Sequence, residues 1–208
     1  DREFRVLSAL ADTDVPVAQV YHLCDDDSII GSMFYLMEYK QGRVFWDPAL
    51  PGISNLDRGD IFDQMNRVLV ALHSVDIDAV GLQDYGRPGN YFARQIGRWT
   101  KQYQASESET IADMDRLIEW LPANTPEDDG KLVLAHGDFR LDNMMFHGTE
   151  SAAISLLDWE LSTLGHPYAP LAYPCMQLRL YNNCVLAGLV RLDRPSLGIP
   201  SAPDRSQE

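Results

Sequence analysis

The stretch whose reading decides the fold is Leu132-Val-Leu-Ala-His136-Gly-Asp138-Phe-Arg140-Leu-Asp142-Asn143, followed by Ile154-Ser-Leu-Leu-Asp158-Trp-Glu160. An apolar run leads into a loop that carries a histidine, two aspartates and an asparagine. Between Asn143 and Asp158 lie Met144-Met145-Phe146, a turn-like His147-Gly148-Thr149-Glu150, and the apolar run from Ile154. Two short apolar segments around such a turn predict a hairpin, which would bring Asn143 and Asp158 together. Three fixed residue types at one spacing arise by chance in a chain this long at roughly a few per cent. The hairpin and Asp158 therefore carry the reading as much as the spacing does.

His136, Asp138 and Asn143 match the H-x-D-x-x-x-x-N spacing of a phosphoryl-transfer catalytic loop, and Asp158 stands where a second metal-binding carboxylate would lie. The chemistry needs these types. A carboxylate must face the acceptor hydroxyl, and hard oxygen donors must hold the magnesium that offsets phosphate charge. Asp138 is the expected base, with Asn143 and Asp158 as the expected metal ligands. Arg140 is placed to reach the transferring phosphate with charge-assisted hydrogen bonds, while His136 is expected to be scaffold. A metal-dependent hydrolase using His136, Asp138, His147 and Asp158 is a weaker alternative, because no second histidine cluster supports it.

The segments His136 to Asn143 and Leu157-Asp-Trp-Glu-Leu-Ser-Thr-Leu-Gly165 resemble the aminoglycoside phosphotransferase-like kinases, especially the branch found alone or attached to acyl-CoA dehydrogenases. Val15-Pro-Val17, Met33-Phe-Tyr-Leu-Met-Glu-Tyr39, Leu72-His73 and Gly86-Arg-Pro-Gly-Asn-Tyr-Phe-Ala-Arg-Gln95 extend the resemblance over almost the whole chain. It implies an α+β, protein-kinase-like fold of two lobes. Residues 1–40 would be the remainder of the N-terminal lobe and hinge, and residues 41–208 the helical C-terminal lobe. It also implies ATP or GTP as donor, Mg2+ as cofactor and a small-molecule hydroxyl as acceptor, with hydroxyacyl-CoA thioesters favoured by the branch. Backbone near Glu38 and Lys40 would meet the nucleotide base, Met37 would back its pocket, and Glu3 would be the helix glutamate that pairs with a phosphate-binding lysine.

The chain departs from that pattern in places. Gly165-His166-Pro167 and Pro170-Leu171-Ala172 stand where aspartates are expected at positions 166 and 170. A proline side chain accepts no hydrogen bond, which should loosen the catalytic loop. Lys40, Lys101 and Lys131 are the only lysines, and none lies in an early strand beside a glycine-rich loop. The expectation is a chain truncated in its N-terminal lobe, and the alternative function is a catalytically inactive kinase-like nucleotide-binding or regulatory module. Ser201 and Asp204 look like the start of another helix, so the acceptor-shaping part should lie further on.

A net charge of -14 opposes nucleic acid and anionic membranes, neither of which is an expected partner. Cys24, Cys175 and Cys184 form no C-x-x-C pair and suggest a reducing, cytoplasmic setting. Alternation around Val20 to Leu23 suggests that His22 and Cys24 pack within a strand instead of sharing a metal. The remaining pattern predicts a helix over Asp1 to Ala11, strands over Val17 to Cys24 and Met33 to Tyr39, and a core helix over Asp57 to Ser74. A helix over Tyr91 to Gln104 should put Phe92, Ile96, Trp99 and Tyr103 in the core, and another over Met114 to Leu121 should stop near Pro122.

Overall fold

The computed structural model describes residues 1–87, 89–181 and 187–200; Cys184 and the helix start expected at Ser201 and Asp204 lie outside the described residues. Chain order is α1 (Arg2–Leu10), β1 (Val20–Cys24), β2 (Phe34–Met37), β3 (Arg43–Val44), α2 (Asn55–His73), α3 (Tyr91–Ser106) and α4 (Ala112–Ala123). It continues with β4 (Val133–Ala135), a 3-10 turn (Leu141–Asn143), β5 (Met144–Phe146), β6 (Ala153–Leu156), β7 (Thr163–Gly165) and α5 (Tyr168–Gln177). The fold is α+β. Its strands form three small antiparallel sheets, β1–β2, β3–β5–β6 and β4–β7.

The core is organised by α2. Ser54 caps it by accepting the Asp57 N–H at 3.1 Å while its hydroxyl reaches the Asp57 carboxylate at 2.7 Å, so the first turn is satisfied from both sides. Ile61, Met65, Val68, Leu69 and Leu72 are all buried, as their spacing requires. Arg58 is buried too, but it donates to the carbonyls of Leu50 and Ile53 and to Asn55 Oδ1. Through its two terminal nitrogens that buried cation pins the loop before the helix. Against this helix packs the β5–β6 hairpin, whose Met144, Phe146 and Leu156 are buried with Leu134 and Trp159.

Two expectations need correction, at α3 and at His22. No α3 residue is buried: the Phe92, Ile96, Trp99 and Tyr103 stripe is half-covered, with Trp99 49% exposed, because α3 packs chiefly on α4 and not on α2. Helix α4 runs through Pro122 to Ala123. Pro122 gives up one intrahelical donor, and the orphan carbonyls of Trp120 and Leu121 are capped by Asn124 Nδ2 and Thr125 Oγ1 at 2.8 and 2.6 Å. In β1, Cys24 is buried but His22 is exposed, so only one of the two packs. Finally, α5 forms despite Pro170 and Pro174; Pro170 occupies its first turn, where the missing N–H would have had no intrahelical partner. No helix among the described residues is long and apolar enough to cross a membrane.

Candidate active site

The site begins where β4 ends. His136 is buried; its Nδ1 accepts the Asp138 N–H at 3.3 Å, which puts its proton on Nε2, and Nε2 donates to the Leu157 carbonyl at 2.8 Å. Burial holds the imidazole pKa below its usual value, so the ring is a neutral tie. With both nitrogens committed, it has none left for a metal. Its edge meets Trp159 at a centroid distance of 4.8 Å. Gly137, at φ +90°, has no alternative, since any Cβ there would run into the Leu161 carbonyl.

The hairpin expected from the sequence is present, and it sets the next contacts. Met144 pairs with Leu156, and the Asn143 carbonyl accepts the Leu157 N–H at 2.8 Å, so Asn143 lies alongside the residue that precedes Asp158. Asn143 is buried; its Nδ2 donates to the Asp138 carbonyl at 2.8 Å and to Asp138 Oδ2 at 3.0 Å. That leaves Oδ1 as an open acceptor. Asp158 is exposed and held at φ +63°, a left-handed conformation rare outside glycine, asparagine and aspartate. An amide oxygen and a carboxylate are the hard donors magnesium takes, and two protein ligands leave room for phosphate oxygens. Among the described residues no group of three His, Cys, Asp or Glu side chains could hold a metal alone.

Arg140 completes the constellation. Its Nε lies 3.0 Å from Asp138 Oδ1, although that N–H is not aimed along a hydrogen bond, and Nη2 lies 3.3 Å from Asp142 Oδ2. All three side chains are about one-fifth exposed or less, so solvent can reach them without washing out the pairing. Tyr173 of α5 is nearby: burial first, then the Asp138 charge, pushes its hydroxyl pKa up.

The nucleotide-side candidates are arranged differently. The Glu38 N–H donates to the Gln19 carbonyl at 2.7 Å, and its carboxylate accepts the Gln19 N–H at 3.2 Å and Lys40 Nζ at 3.2 Å. These contacts lower the Glu38 pKa, the Gln19 N–H most. Because the antiparallel pairing of β1 and β2 runs one residue further, that N–H is spent within the sheet. Met37 is 42% exposed. Glu3 does not meet a lysine here; its Oε2 accepts the Tyr35 hydroxyl at 3.3 Å.

Two linkages escaped the sequence. Arg2 donates from Nη2 to the Tyr85 and Ser162 carbonyls, both at 2.8 Å, and stacks over the Tyr85 ring; the Tyr85 hydroxyl meets Ser162 Oγ at 2.7 Å. The start of α1 is thereby fastened to the segment just after Asp158. His166, the first departure, sits between the Phe92 and Tyr168 rings, accepts the Tyr168 N–H at 3.3 Å through Nδ1, and donates to Asp129 Oδ1 at 3.0 Å. Lys131 above all, with His166 contributing, holds Asp129 at about 2. The second departure costs less than expected: with Pro170 unable to accept, the Asp138 N–H and carbonyl are held by His136 and Asn143 instead.

Residues 1–181 match the phosphotransferase enzyme family. Among curated proteins, the mouse (Mus musculus) acyl-CoA dehydrogenase family member 10 is 47% identical over 98% of this chain, and a probable acyl-CoA dehydrogenase of Arabidopsis thaliana is 48% identical over 85%. The chain spans only 19% and 22% of their lengths. A Ralstonia eutropha protein assigned to the aminoglycoside phosphotransferases superposes with a TM-score of 0.93 at 53% identity, over 98% of this chain and 62% of that one. An aminoglycoside phosphotransferase solved with ADP and hygromycin B shares the fold alone, at TM-score 0.61 and 14% identity over 86% of this chain and 61% of that one.

Proposed function

The chain belongs to the phosphotransferase enzyme family, and from that membership we propose that it carries the catalytic part of a magnesium-dependent kinase that moves a phosphoryl group from ATP or GTP to a hydroxyl of a small molecule. The observation that carries this reading is Asn143, whose side-chain nitrogen orients Asp138 while its backbone carbonyl is bonded to the residue that precedes Asp158. Asp138 accepts the proton of the acceptor hydroxyl. Arg140 turns from its aspartates towards the transferring phosphate, and Asn143 keeps Asp138 oriented as it does so. Asn143 and Asp158 would hold a magnesium ion, which would supply the charge that offsets the donor phosphates. Met37, Glu38 and Lys40 flank the base of the donor, with the Glu38 carbonyl and not its N–H facing it. Among acceptors, a hydroxyacyl-CoA thioester is favoured over an aminoglycoside because relatives over this region are named acyl-CoA dehydrogenases.

The competing reading is a module that binds nucleotide without turnover, and one observation favours it: both Asp138 oxygens already have partners in Arg140 and Asn143. Calorimetry with a non-hydrolysable nucleotide, paired with nucleotide consumption over acyl-CoA and aminoglycoside panels, separates the two. Magnesium-dependent binding that Asp158→Ala removes, together with turnover of a hydroxyacyl-CoA, supports the kinase. Binding without turnover of any acceptor supports the module. Binding indifferent to magnesium and to Asp158→Ala sinks both.

A further inference from the structure

A cleft of about 950 Å³ opens between the start of α1, residues 84–87, α3 and β7. The chain has 31 acidic against 17 basic residues, so an average patch of its surface is negative. This cleft is the reverse. Arg2, Arg87, Arg94, Arg98 and Lys101 line it with Asp84 as its one carboxylate, and Asp84 is already paired with Arg5. Arg98 and Lys101 fall at i and i+3 along α3, which sets two like charges side by side on one helix face, an arrangement that costs stability unless an anion joins it; Arg94, one turn earlier, donates to the Arg87 carbonyl at 2.6 Å. Arg87, Arg98 and Lys101 are exposed and form no ion pair among the described residues.

We propose that this cleft is an anion site for the phosphate groups of the acceptor, with Arg87, Arg98 and Lys101 as its principal contacts. Guanidinium groups grip phosphate bidentately, and several of them around one cleft match a ligand bearing more than one phosphate. The position suits an anchor beside the reacting centre. Thr163, on the cleft wall, pairs with Ala135, which directly precedes His136, and Tyr91 on the other wall packs against Gly165. A ligand held here by its phosphates would extend its other end towards Asp138. That the ligand is the acceptor rests on the kinase reading; that the cleft binds phosphate does not.

Calorimetry without nucleotide or magnesium tests it, using inorganic pyrophosphate, coenzyme A and phosphate-free pantetheine. Pyrophosphate and coenzyme A should bind and pantetheine should not. R98E/K101E should weaken coenzyme A by about tenfold or more, the scale of losing hydrogen bonds to charged groups. R67E/R116E, with the same change of net charge away from the cleft, should leave binding unchanged, and R87E repeats the test from the loop if the α3 variant fails to fold. Equal losses in both double variants, wild-type affinity in R98E/K101E and R87E, or pantetheine binding as well as coenzyme A, would overturn the site. Pyrophosphate binding without coenzyme A binding would overturn its assignment to the acceptor. Magnesium-dependent nucleotide binding is scored separately: its survival when coenzyme A fails to bind rejects the cleft alone, and its loss when coenzyme A binds rejects the kinase reading alone.

Discussion

The catalytic loop and the β1–β2 pair sit in one chain but are held by opposite means. Around the loop, His136, Phe139, Leu141, Met144 and Trp159 are buried, and each described polar contact of His136 and Asn143 is directional. In the strand pair, Tyr21, Leu36 and Met37 are 60%, 52% and 42% exposed, and the ordering forces are a two-stranded ladder plus a few polar contacts such as Glu3 with Tyr35. The lesson is that the loop is pre-organised by its own neighbours, whereas the strand pair has geometry without cover.

If that contrast is right, perturbations of equal size should have unequal effects. The largest is expected at Asp138: replacing it with Ala should lower phosphoryl transfer by roughly two to four orders of magnitude while nucleotide affinity barely moves. Steady-state turnover beside calorimetric titration checks this, and near-normal turnover would assign the base elsewhere. Next comes Trp159→Ala, which empties a buried indole beside His136 and should cost about 3–5 kcal/mol in denaturant unfolding. A loss below about 1 kcal/mol would mean that the loop is not supported by that packing.

His136 gives a smaller effect with a definite sign. Its folded pKa is depressed from 6.5 by burial, so the unfolded chain binds the proton more readily; stability is complete above about pH 6.5 and falls as pH drops through that value. His73, also lowered by burial, adds in the same direction. Melting temperatures between neutral and mildly acidic pH should therefore slope downwards, less steeply in His136→Gln. An unchanged slope in that variant would remove the neutral-tie argument. The smallest effect is expected in the strand pair, where Leu36→Ala should change stability by no more than about 0.5 kcal/mol; a loss like that of Trp159→Ala would erase the contrast between the regions.

What the sequence made legible follows the same division. The hairpin, α2 and the clustering of Asp138, Asn143 and Asp158 were readable because short-range rules fix them: period-two and period-3.6 burial, a polar turn, and residue types with one chemistry at a set spacing. The half-exposed face of α3 was not readable, because an apolar stripe reports that a helix packs, not how completely. That the Glu38 N–H is taken by the Gln19 carbonyl was not readable either, because which backbone donor a neighbouring strand engages depends on register and not on residue type. Arg2 left no local signal, since its acceptors at Tyr85 and Ser162 lie 83 and 160 residues away. Pro170 misled for a related reason. The role expected of an aspartate there is met by side chains inside the loop itself.

Because the Asn143 side chain holds Asp138 while its backbone holds the residue before Asp158, substitutions at 138 and 158 reach each other through it and should not act independently. Their combined effect should depart from the sum of the single effects, and the departure should vanish once residue 143 is changed. A chain wired this way resists piecemeal redesign: whatever residue replaces Asn143 also re-aims the carboxylate five positions upstream.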